Sequence, residues 1–297
     1  MSIDSLLQLA CGPLSLTLAP AFGGSILRFD HVGPDGGKTP LFRGVDSVPE
    51  RIVDTASFPL VPFVNRIRGG RFDFRGRTVA LAANMPPDPS PLHGQGWLAA
   101  WTAGRLTETE ADLLFCYEPG EWPWAYEAHQ QIRLDERGLS LALSCTNRSG
   151  EPMPCGLGQH PYFPCSSRTQ LDTQVESVWT IDENVLPVEK LPAEGRYRLT
   201  GRDICGQDLD HGFGGWSGRA RIADPDWPFA LEMSSPEAKF FQIYSPASGG
   251  FFVAEPVTHA NAALNEPEEL WEGLGLKVLE PGETMQLSTR IEVVPLQ

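Results

Sequence analysis

Three short segments carry the side chains best suited to proton transfer. His93 stands in SPLHGQGW, where the glycines allow close approach of a ligand and Trp97 offers a flat apolar face of the kind that stacks on sugars. His160 stands in GLGQHPYF, where Pro161 restricts the preceding backbone to an extended form. Imidazole titrates near neutrality, so His160 is a candidate general acid or base. The alternatives are a turn histidine at 93, beside a core tryptophan, and a hydrogen-bonded core histidine at 160.

Glu255 is the carboxylate with the most distinctive setting. It closes the apolar run FFVA and precedes Pro256, which places it at a strand end where the chain leaves a sheet. Burial there would raise its pKa and make it a stronger base than a free glutamate, unless a nearby arginine opposed the shift. The alternative is a solvated glutamate at the end of a strand.

Arginines are concentrated in residues 58–77, FPLVPFVNRIRGGRFDFRGR. Arg66 in this segment and Asp210 in LDHGF are weak signals individually, because most arginines and aspartates are solvated. In GRFDFRGR the alternation places Phe72 and Phe74 on one face of a hairpin and the charged residues on the other. The outer arginines are therefore expected at a solvated edge.

Composition restricts the partners of this chain. It has 297 residues and a formal net charge of -15, which opposes binding to nucleic acid or to an anionic membrane. The amino terminus lacks the features of a secretory signal, and no apolar run approaches the roughly 20 residues of a spanning helix. We therefore expect a cytoplasmic protein.

The six cysteines of the chain are scattered without metal-ligand spacing, which favours free thiols over disulfides or zinc.

The elements that must position these residues are strands. Period-two runs such as LSLTL, RFDF with TVALA, QQIRL with LSLALSC, and MQLSTRIEVV alternate with glycine- and proline-rich turns. The turns RGR and DERG predict hairpins, with glycine supplying a positive φ. The best helical candidate is short, residues 265–275, with Asn265 as its cap. The pattern predicts an all-β fold, one large antiparallel β-sandwich over residues 1–297.

Several other chemistries find no support in the sequence. It contains no Gly-x-Ser-x-Gly elbow, no phosphate-binding loop ending in Gly-Lys-Ser/Thr and no His-Glu-x-x-His segment. Histidines and carboxylates do not occur at short ligand spacings, so we expect no metal.

Taken in order, the segments VPFVNRIRGGRFDFRG, LHGQGW, HPYF, LDHGF, VAEP and LEPGET resemble the aldose 1-epimerase (galactose mutarotase) family. The resemblance extends over nearly the whole chain. It implies a galactose mutarotase-like supersandwich with an open sugar cleft, and interconversion of the α and β anomers of a free aldose such as glucose or galactose without cofactor or metal. The expected partner is a monosaccharide, and the expected assembly is a monomer or homodimer.

The resemblance also assigns roles to individual residues. His160 matches the catalytic acid and Glu255 the catalytic base. The positions that match or neighbour sugar-binding residues are Asn65, Arg66, His93 and Asp210.

The sequence departs from the familiar galactose enzymes around the acid and after the base, which leaves the preferred aldose open. The sequence also leaves two alternative functions open. A hexose 6-phosphate mutarotase would need cations for a dianion, for which Arg66, Arg68 and Arg71 are candidates. A non-catalytic sugar-binding protein of the same fold would bind a monosaccharide without accelerating mutarotation.

Overall fold

The computed structural model describes residues 6–296, and the regular secondary structure of these residues is almost entirely antiparallel strand. In chain order the strands are β1 (Leu7–Cys11), β2 (Leu14–Ala19), β3 (Ser25–Val32), β4 (Lys38–Pro40), β5 (Pro59–Leu60), β6 (Arg71–Phe74), β7 (Arg77–Ala80), β8 (Thr102–Leu106), β9 (Glu110–Tyr117), β10 (Tyr126–Asp135), β11 (Gly138–Asn147), β12 (Met153–Cys155), β13 (Gly158–Gln159), β14 (Tyr162–Pro164), β15 (Gln170–Thr173), β16 (Ser177–Ile181), β17 (Pro187–Pro192), β18 (Arg202–Asp203), β19 (Leu209–Gly214), β20 (Arg219–Ala223), β21 (Phe229–Ser234), β22 (Phe240–Ser245), β23 (Phe251–Val257), β24 (Lys277–Leu279) and β25 (Thr284–Pro295).

Two large sheets form the sandwich. One has nine strands in the order β18-β15-β20-β21-β25-β11-β10-β9-β8, and the other has eight in the order β17-β16-β19-β22-β23-β13-β5, with β14 also pairing β23. A separate four-stranded sheet, β1-β2-β3-β4, opens the described chain. The predicted all-β antiparallel sandwich is confirmed.

The main core lies between the two large sheets. Leu141 and Leu143 of the nine-stranded sheet share one buried cluster with Phe213, Phe241 and Ile243 of the eight-stranded sheet. A second apolar cluster, which includes Phe58, Leu60, Trp97, Tyr162 and Val257, is distinct from this core. The eight-stranded sheet therefore contributes side chains to both clusters, and the second one lies beside the candidate site.

Both predicted hairpins are present, but the DERG turn works differently from the prediction. In the first hairpin, Arg75 and Gly76 have φ of 47° and 80°. In the second, Asp135 pairs with Gly138, so the turn consists of residues 136 and 137. Gly138 is needed for a close approach instead, because a Cβ there would lie 2.1 Å from the carbonyl oxygen of Ile291.

The predicted helix at 265–275 is wrong. Two short 3-10 turns occupy this part of the chain, Ala263–Asn265 and Glu268–Leu270. Asn265 does not cap a helix. Its side chain accepts a hydrogen bond from the backbone N–H of Arg68 and donates to the carbonyl oxygens of Arg68 and Arg71. Long-range bonding to the arginine-rich segment replaces the local cap.

The remaining 3-10 turns are short connections. They are Ile52–Asp54, Arg68–Gly70, Gly96–Leu98 and Gly195–Tyr197. Within residues 6–296, no helix is long and apolar enough to cross a membrane.

The prediction that all six cysteines are thiols is wrong for one pair. Cys165 and Cys205 form a disulfide that spans 40 residues of sequence, whereas Cys11, Cys116, Cys145 and Cys155 are free. Sequence spacing could not identify the pair, because the strands around β14 and β18 bring the two residues together.

Candidate active site

A row of residues across the eight-stranded sheet forms the centre of the candidate site. Gly158 pairs with Val257 and Tyr162 pairs with Val253, so His160, midway between β13 and β14, lies opposite Glu255 on β23. On the other side of β23, Glu255 pairs with Gln242, and Gln242 pairs with Gly212. At the other end, the backbone N–H of His160 donates to the carbonyl oxygen of Phe58 at 3.1 Å. This transverse row consists of Gly212, Gln242, Glu255, His160 and Phe58.

His160 and Glu255 are in contact. His160 Nε2 lies 3.4 Å from Glu255 Oε1, and the residues are only 8% and 2% exposed. The imidazole stacks on Phe58, with ring centroids 4.4 Å apart, and on its other neighbour, Tyr162, at 4.8 Å. Aromatic packing thus fixes the ring with Nε2 directed toward the carboxyl group.

Burial shifts both pKa values toward the neutral forms. Desolvation lowers the pKa of His160 to about 3 and raises the pKa of Glu255 well above its ordinary value. Asp210 adds to the rise at Glu255, whereas Arg66 opposes it. Both shifts favour the neutral forms, and a single proton shared by the pair would reside on the carboxyl group.

Two polar atoms of this pair have no hydrogen-bond partner within the described chain. They are His160 Nδ1 and Glu255 Oε2, both buried. Buried polar atoms are normally hydrogen-bonded, and unsatisfied ones cost stability. Such atoms are typical of a site arranged for a ligand or for chemistry.

His93 lies next to this pair and is held by Asn65. The backbone N–H of Asn65 donates to His93 Nδ1 at 3.1 Å, and the backbone N–H of His93 donates to the Asn65 carbonyl at 3.0 Å. Because Nδ1 accepts, the proton of the neutral ring is on Nε2. Burial and the neighbouring His160 lower the pKa of His93 well below its ordinary value. The lowered pKa and the hydrogen bond to Nδ1 make His93 a neutral donor through Nε2. Its ring lies 5.4 Å from that of His160.

Asn84 anchors the segment that carries His93. Its side chain donates to the carbonyl of Leu92 and accepts from the N–H of the same residue, both at 2.8 Å. Asn65 and His93 have φ of 54° and 58°, the left-handed region that side chains rarely adopt. Local backbone strain at both positions is the kind found at functional sites.

Arg66 and Asp210 lie on the Gln242 side of the row. Arg66 makes an ion pair with Asp88 at 2.8 Å, and both side chains are about one-tenth exposed. Gln242 Nε2 donates to Asp210 Oδ1 at 3.0 Å. Burial raises the pKa of Asp210, and Arg66 and the Gln242 hydrogen bond oppose that rise.

All six predicted site residues line one cleft of about 1000 Å³. These residues are Asn65, Arg66, His93, His160, Asp210 and Glu255. Sheet register aligns His160 with Glu255, whereas Asn65, Arg66 and His93 reach the cleft from segments outside the named strands. The functional roles assigned to the six residues remain predictions.

Several other candidates do not offer the predicted surfaces. Trp97 lines the cleft but is only 1% exposed, and its Nε1 donates to the carbonyls of Leu92 and Gly94, so almost none of its face is available for stacking on a sugar. Trp122 and Trp124, in the segment EWPWAYE, belong to the main core and are not a surface for stacking on a sugar. Arg68 donates to the Pro187 carbonyl instead of converging with Arg66 on one anion.

Two cleft residues escaped the sequence analysis. Gln242 sits inside the apolar strand FFQIYS, and a lone amide in such a run is a signal of a buried polar contact. Arg43 also lines the cleft, and its guanidinium stacks over Tyr162 at 3.9 Å and over Phe251 at 4.6 Å. Nothing near Arg43 in the sequence distinguishes it from a surface arginine.

Within residues 6–296, no group of three or more His, Cys, Asp or Glu side chains could hold a metal ion. The polar groups of the cleft are instead arranged as proton donors and acceptors. The geometry suits acid-base chemistry on a small polar molecule, because a buried carboxyl group and an imidazole meet at one point of an open cleft.

Known proteins share both the sequence pattern and the fold. The family model for aldose 1-epimerase matches residues 13–292. The chain belongs to the aldose 1-epimerase family. An uncharacterized relative, YphB of Escherichia coli K12, is 35% identical over 252 residues, which are 80% of this chain and 84% of YphB.

Solved structures of this family superpose closely. A provisionally assigned aldose 1-epimerase from E. coli K12 has a TM-score of 0.87 at 31% identity, covering 98% of this chain and 99% of that one. A galactose mutarotase-like protein from Clostridium acetobutylicum has a TM-score of 0.84 at 18% identity, with 97% and 95% coverage. The galactose mutarotase-like fold predicted from the sequence is therefore confirmed.

Proposed function

We propose that this chain is a mutarotase that interconverts the α and β anomers of a free aldose. The observation that carries the proposal is the buried contact between His160 and Glu255 at 3.4 Å in a cleft of the aldose 1-epimerase fold. Mutarotation requires one proton to leave the anomeric hydroxyl and one to reach the ring oxygen. A donor and an acceptor side by side can move both without a cofactor.

In the proposed step, the Glu255 carboxylate accepts the proton of the anomeric hydroxyl while His160 Nε2 donates to the ring oxygen. The hemiacetal opens, the C1–C2 bond rotates, and the same groups act in reverse on closure. The resting pair holds its single proton on Glu255, because burial raises the pKa of that carboxyl and lowers that of His160 to about 3. For Glu255 to act as the base and His160 as the acid, the proton must first move from Glu255 to His160 across the 3.4 Å contact.

Other cleft residues would hold the sugar. His93, with its proton on Nε2, would donate to a sugar oxygen near His160. Within the sugar ring, C1 is bonded to two atoms, the ring oxygen and C2. Since His160 takes the ring oxygen, C2 would face Gln242 and Asp210 on the opposite side of β23. Arg66 would stabilise the Asp210 carboxylate and contact sugar hydroxyls.

Polarimetry on freshly dissolved α-D-glucose and α-D-galactose tests the proposal. The protein should accelerate the approach to rotational equilibrium for at least one common aldose. Binding of a monosaccharide with no acceleration would identify a non-catalytic sugar-binding protein. Acceleration of mutarotation for glucose 6-phosphate alone would identify a phosphosugar mutarotase. The structure does not favour that function, because the candidate cations Arg66, Arg68 and Arg71 do not converge on one point.

A further inference from the structure

Arg43 is a cleft cation without an ion-pair partner, although the Asp54 carboxylate attracts it from a distance. It is partly buried, and it forms no ion pair with any carboxylate in the described part of the chain. The other cleft arginines are neutralised, Arg66 by Asp88 and Arg51 by both oxygens of Asp54 at 2.9 Å. A guanidinium removed from water is ordinarily paired with an anion. Arg43 could therefore pair with an anion that enters the cleft.

The hydrogen bonds of Arg43 leave two nitrogens without a described partner, and only one of them is accessible. Nη2 donates to the carbonyl oxygens of Val53 and Thr55 at 2.5 and 2.9 Å. Nε is buried without a partner, and Nη1 has neither a described partner nor complete burial. The guanidinium plane is fixed over Tyr162 and Phe251. The carbonyl contacts and the aromatic rings hold Arg43 in place and leave Nη1 as the donor available to a ligand.

The position of Arg43 defines which part of a sugar it would meet. It packs on Tyr162, whose ring contacts that of His160, whereas Gln242 and Asp210 lie on the other side of β23. In the proposed reaction His160 donates a proton to the ring oxygen, which is bonded to C1 and to C5. The substituent on C5 would then lie on the Tyr162 side, and the C2 hydroxyl on the Asp210 side.

We propose that Arg43 binds the C6 oxygens of the substrate and that the preferred aldose carries a carboxylate there, as in a hexuronic acid. One available nitrogen on a fixed, unpaired guanidinium matches a single negative charge, whereas a phosphate dianion normally requires several cationic donors. A charged hydrogen bond is stronger than one to a neutral hydroxyl. This inference rests on the proposed mutarotase function and specifies its substrate.

The test compares four reducing sugars, D-glucuronic acid, D-glucose, D-xylose and glucose 6-phosphate, by their catalysed mutarotation rates. The wild-type kcat/KM should be highest for glucuronic acid, which keeps its C6 carboxylate, and lower for xylose, which has no C6. Arg43→Gln should lower kcat/KM for glucuronic acid by about 10- to 100-fold, mostly through KM, and for glucose by a few-fold. The xylose rate should change little.

Arg77→Gln is the matched control, because Arg77 is exposed and lies outside the cleft. Arg43→Lys keeps the charge and should recover part of the glucuronic acid rate. If Arg43→Gln does not fold, the wild-type order and the Arg43→Lys variant decide the result. Equal losses of kcat/KM for glucuronic acid and xylose in Arg43→Gln would overturn the inference. So would a wild type that does not prefer glucuronic acid to glucose. A wild-type preference for glucose 6-phosphate would also overturn it and would indicate a phosphate as the C6 group.

The same measurements separate a loss of the mutarotase function from a loss of the C6 preference. If the wild type accelerates none of the four sugars or galactose, the mutarotase function itself is wrong. If it accelerates neutral sugars normally but shows no Arg43-dependent preference, only the inference about the C6 carboxylate is wrong.

Discussion

His160 and Glu255 are cross-strand neighbours, with Nε2 of one 3.4 Å from Oε1 of the other. The two residues are 95 positions apart in sequence, and the register of β13 and β14 on β23 brings them together. Burial shifts the pKa of each group toward its neutral form, lowering that of His160 to about 3 and raising that of Glu255. The pair therefore holds one mobile proton in a cleft that admits a small polar molecule.

The pH dependence of turnover should report this one-proton pair. Activity requires that the pair hold one proton, so kcat/KM should fall on the acid side as His160 protonates near its lowered pKa of about 3. On the alkaline side it should fall as Glu255 loses its proton, at a pH well above the ordinary glutamate range. Initial rates across the pH range in which the protein stays folded would measure both limbs. An alkaline limb near pH 4.5 would contradict the raised pKa of Glu255.

Replacing Glu255 with glutamine should stabilise the fold while removing activity. The folded-state pKa of Glu255 is raised, so its contribution to stability is present below the unfolded pKa of about 4.5 and is lost as pH rises. At pH 8 the wild type must keep a proton or bury a charge, whereas glutamine does neither. Thermal unfolding at pH 5 and pH 8 should show a larger midpoint gain for Glu255→Gln at pH 8, on the order of a few degrees. A loss of stability at pH 8 would contradict this assignment.

Arg66 should matter far more for turnover than Arg75 or Arg77. Arg66 is one-tenth exposed and paired with Asp88 in the cleft, whereas Arg75 and Arg77 make half-exposed ion pairs with Glu268 and Glu151. Arg66→Gln should reduce kcat/KM by about 10- to 100-fold, because it also leaves the Asp88 carboxylate unpaired. Arg75→Gln and Arg77→Gln should stay within about twofold. Comparable losses for all three variants would contradict the distinction.

The Cys165–Cys205 disulfide should be detectable and stabilising. Linking residues 40 positions apart restricts the unfolded chain by about 2–4 kcal/mol. Purification without reductant should give a mass two hydrogens below that of the reduced chain, and Cys205→Ala should lower the unfolding midpoint. Cys116→Ala is the matched control, because that thiol is exposed and free. Equal stability of the two variants would show that the disulfide contributes nothing.

Local patterns determined much of what the sequence could predict. Alternation in RFDF and LSLALSC identified strands, because one face of each is buried and the other is solvated. Ordered motifs identified all six predicted cleft residues. The predicted helix at 265–275 failed because Asn265 bonds to the distant segment around Arg68, which no local pattern records.

The features of the site that the sequence could not predict depend on contacts between residues remote in sequence. The transverse row depends on which residue of β22 faces Glu255, and that choice placed Gln242 in the site. The pKa of His160 is lowered by burial, and its ring packs against Phe58, just before β5, and Tyr162 of β14, which are remote from each other in sequence. Arg43 reaches the cleft through contacts with two aromatic rings and two carbonyl groups that are remote in sequence.

The central claim is that His160 and Glu255 together catalyse the exchange of sugar anomers. Its most direct test is the anomer exchange rate at equilibrium, measured by NMR exchange spectroscopy with the wild type, His160→Asn and Glu255→Gln. We predict catalysed exchange by the wild type and a loss on the order of 10²- to 10⁴-fold in each variant, with the folds intact. Undiminished exchange in both folded variants would contradict the claim.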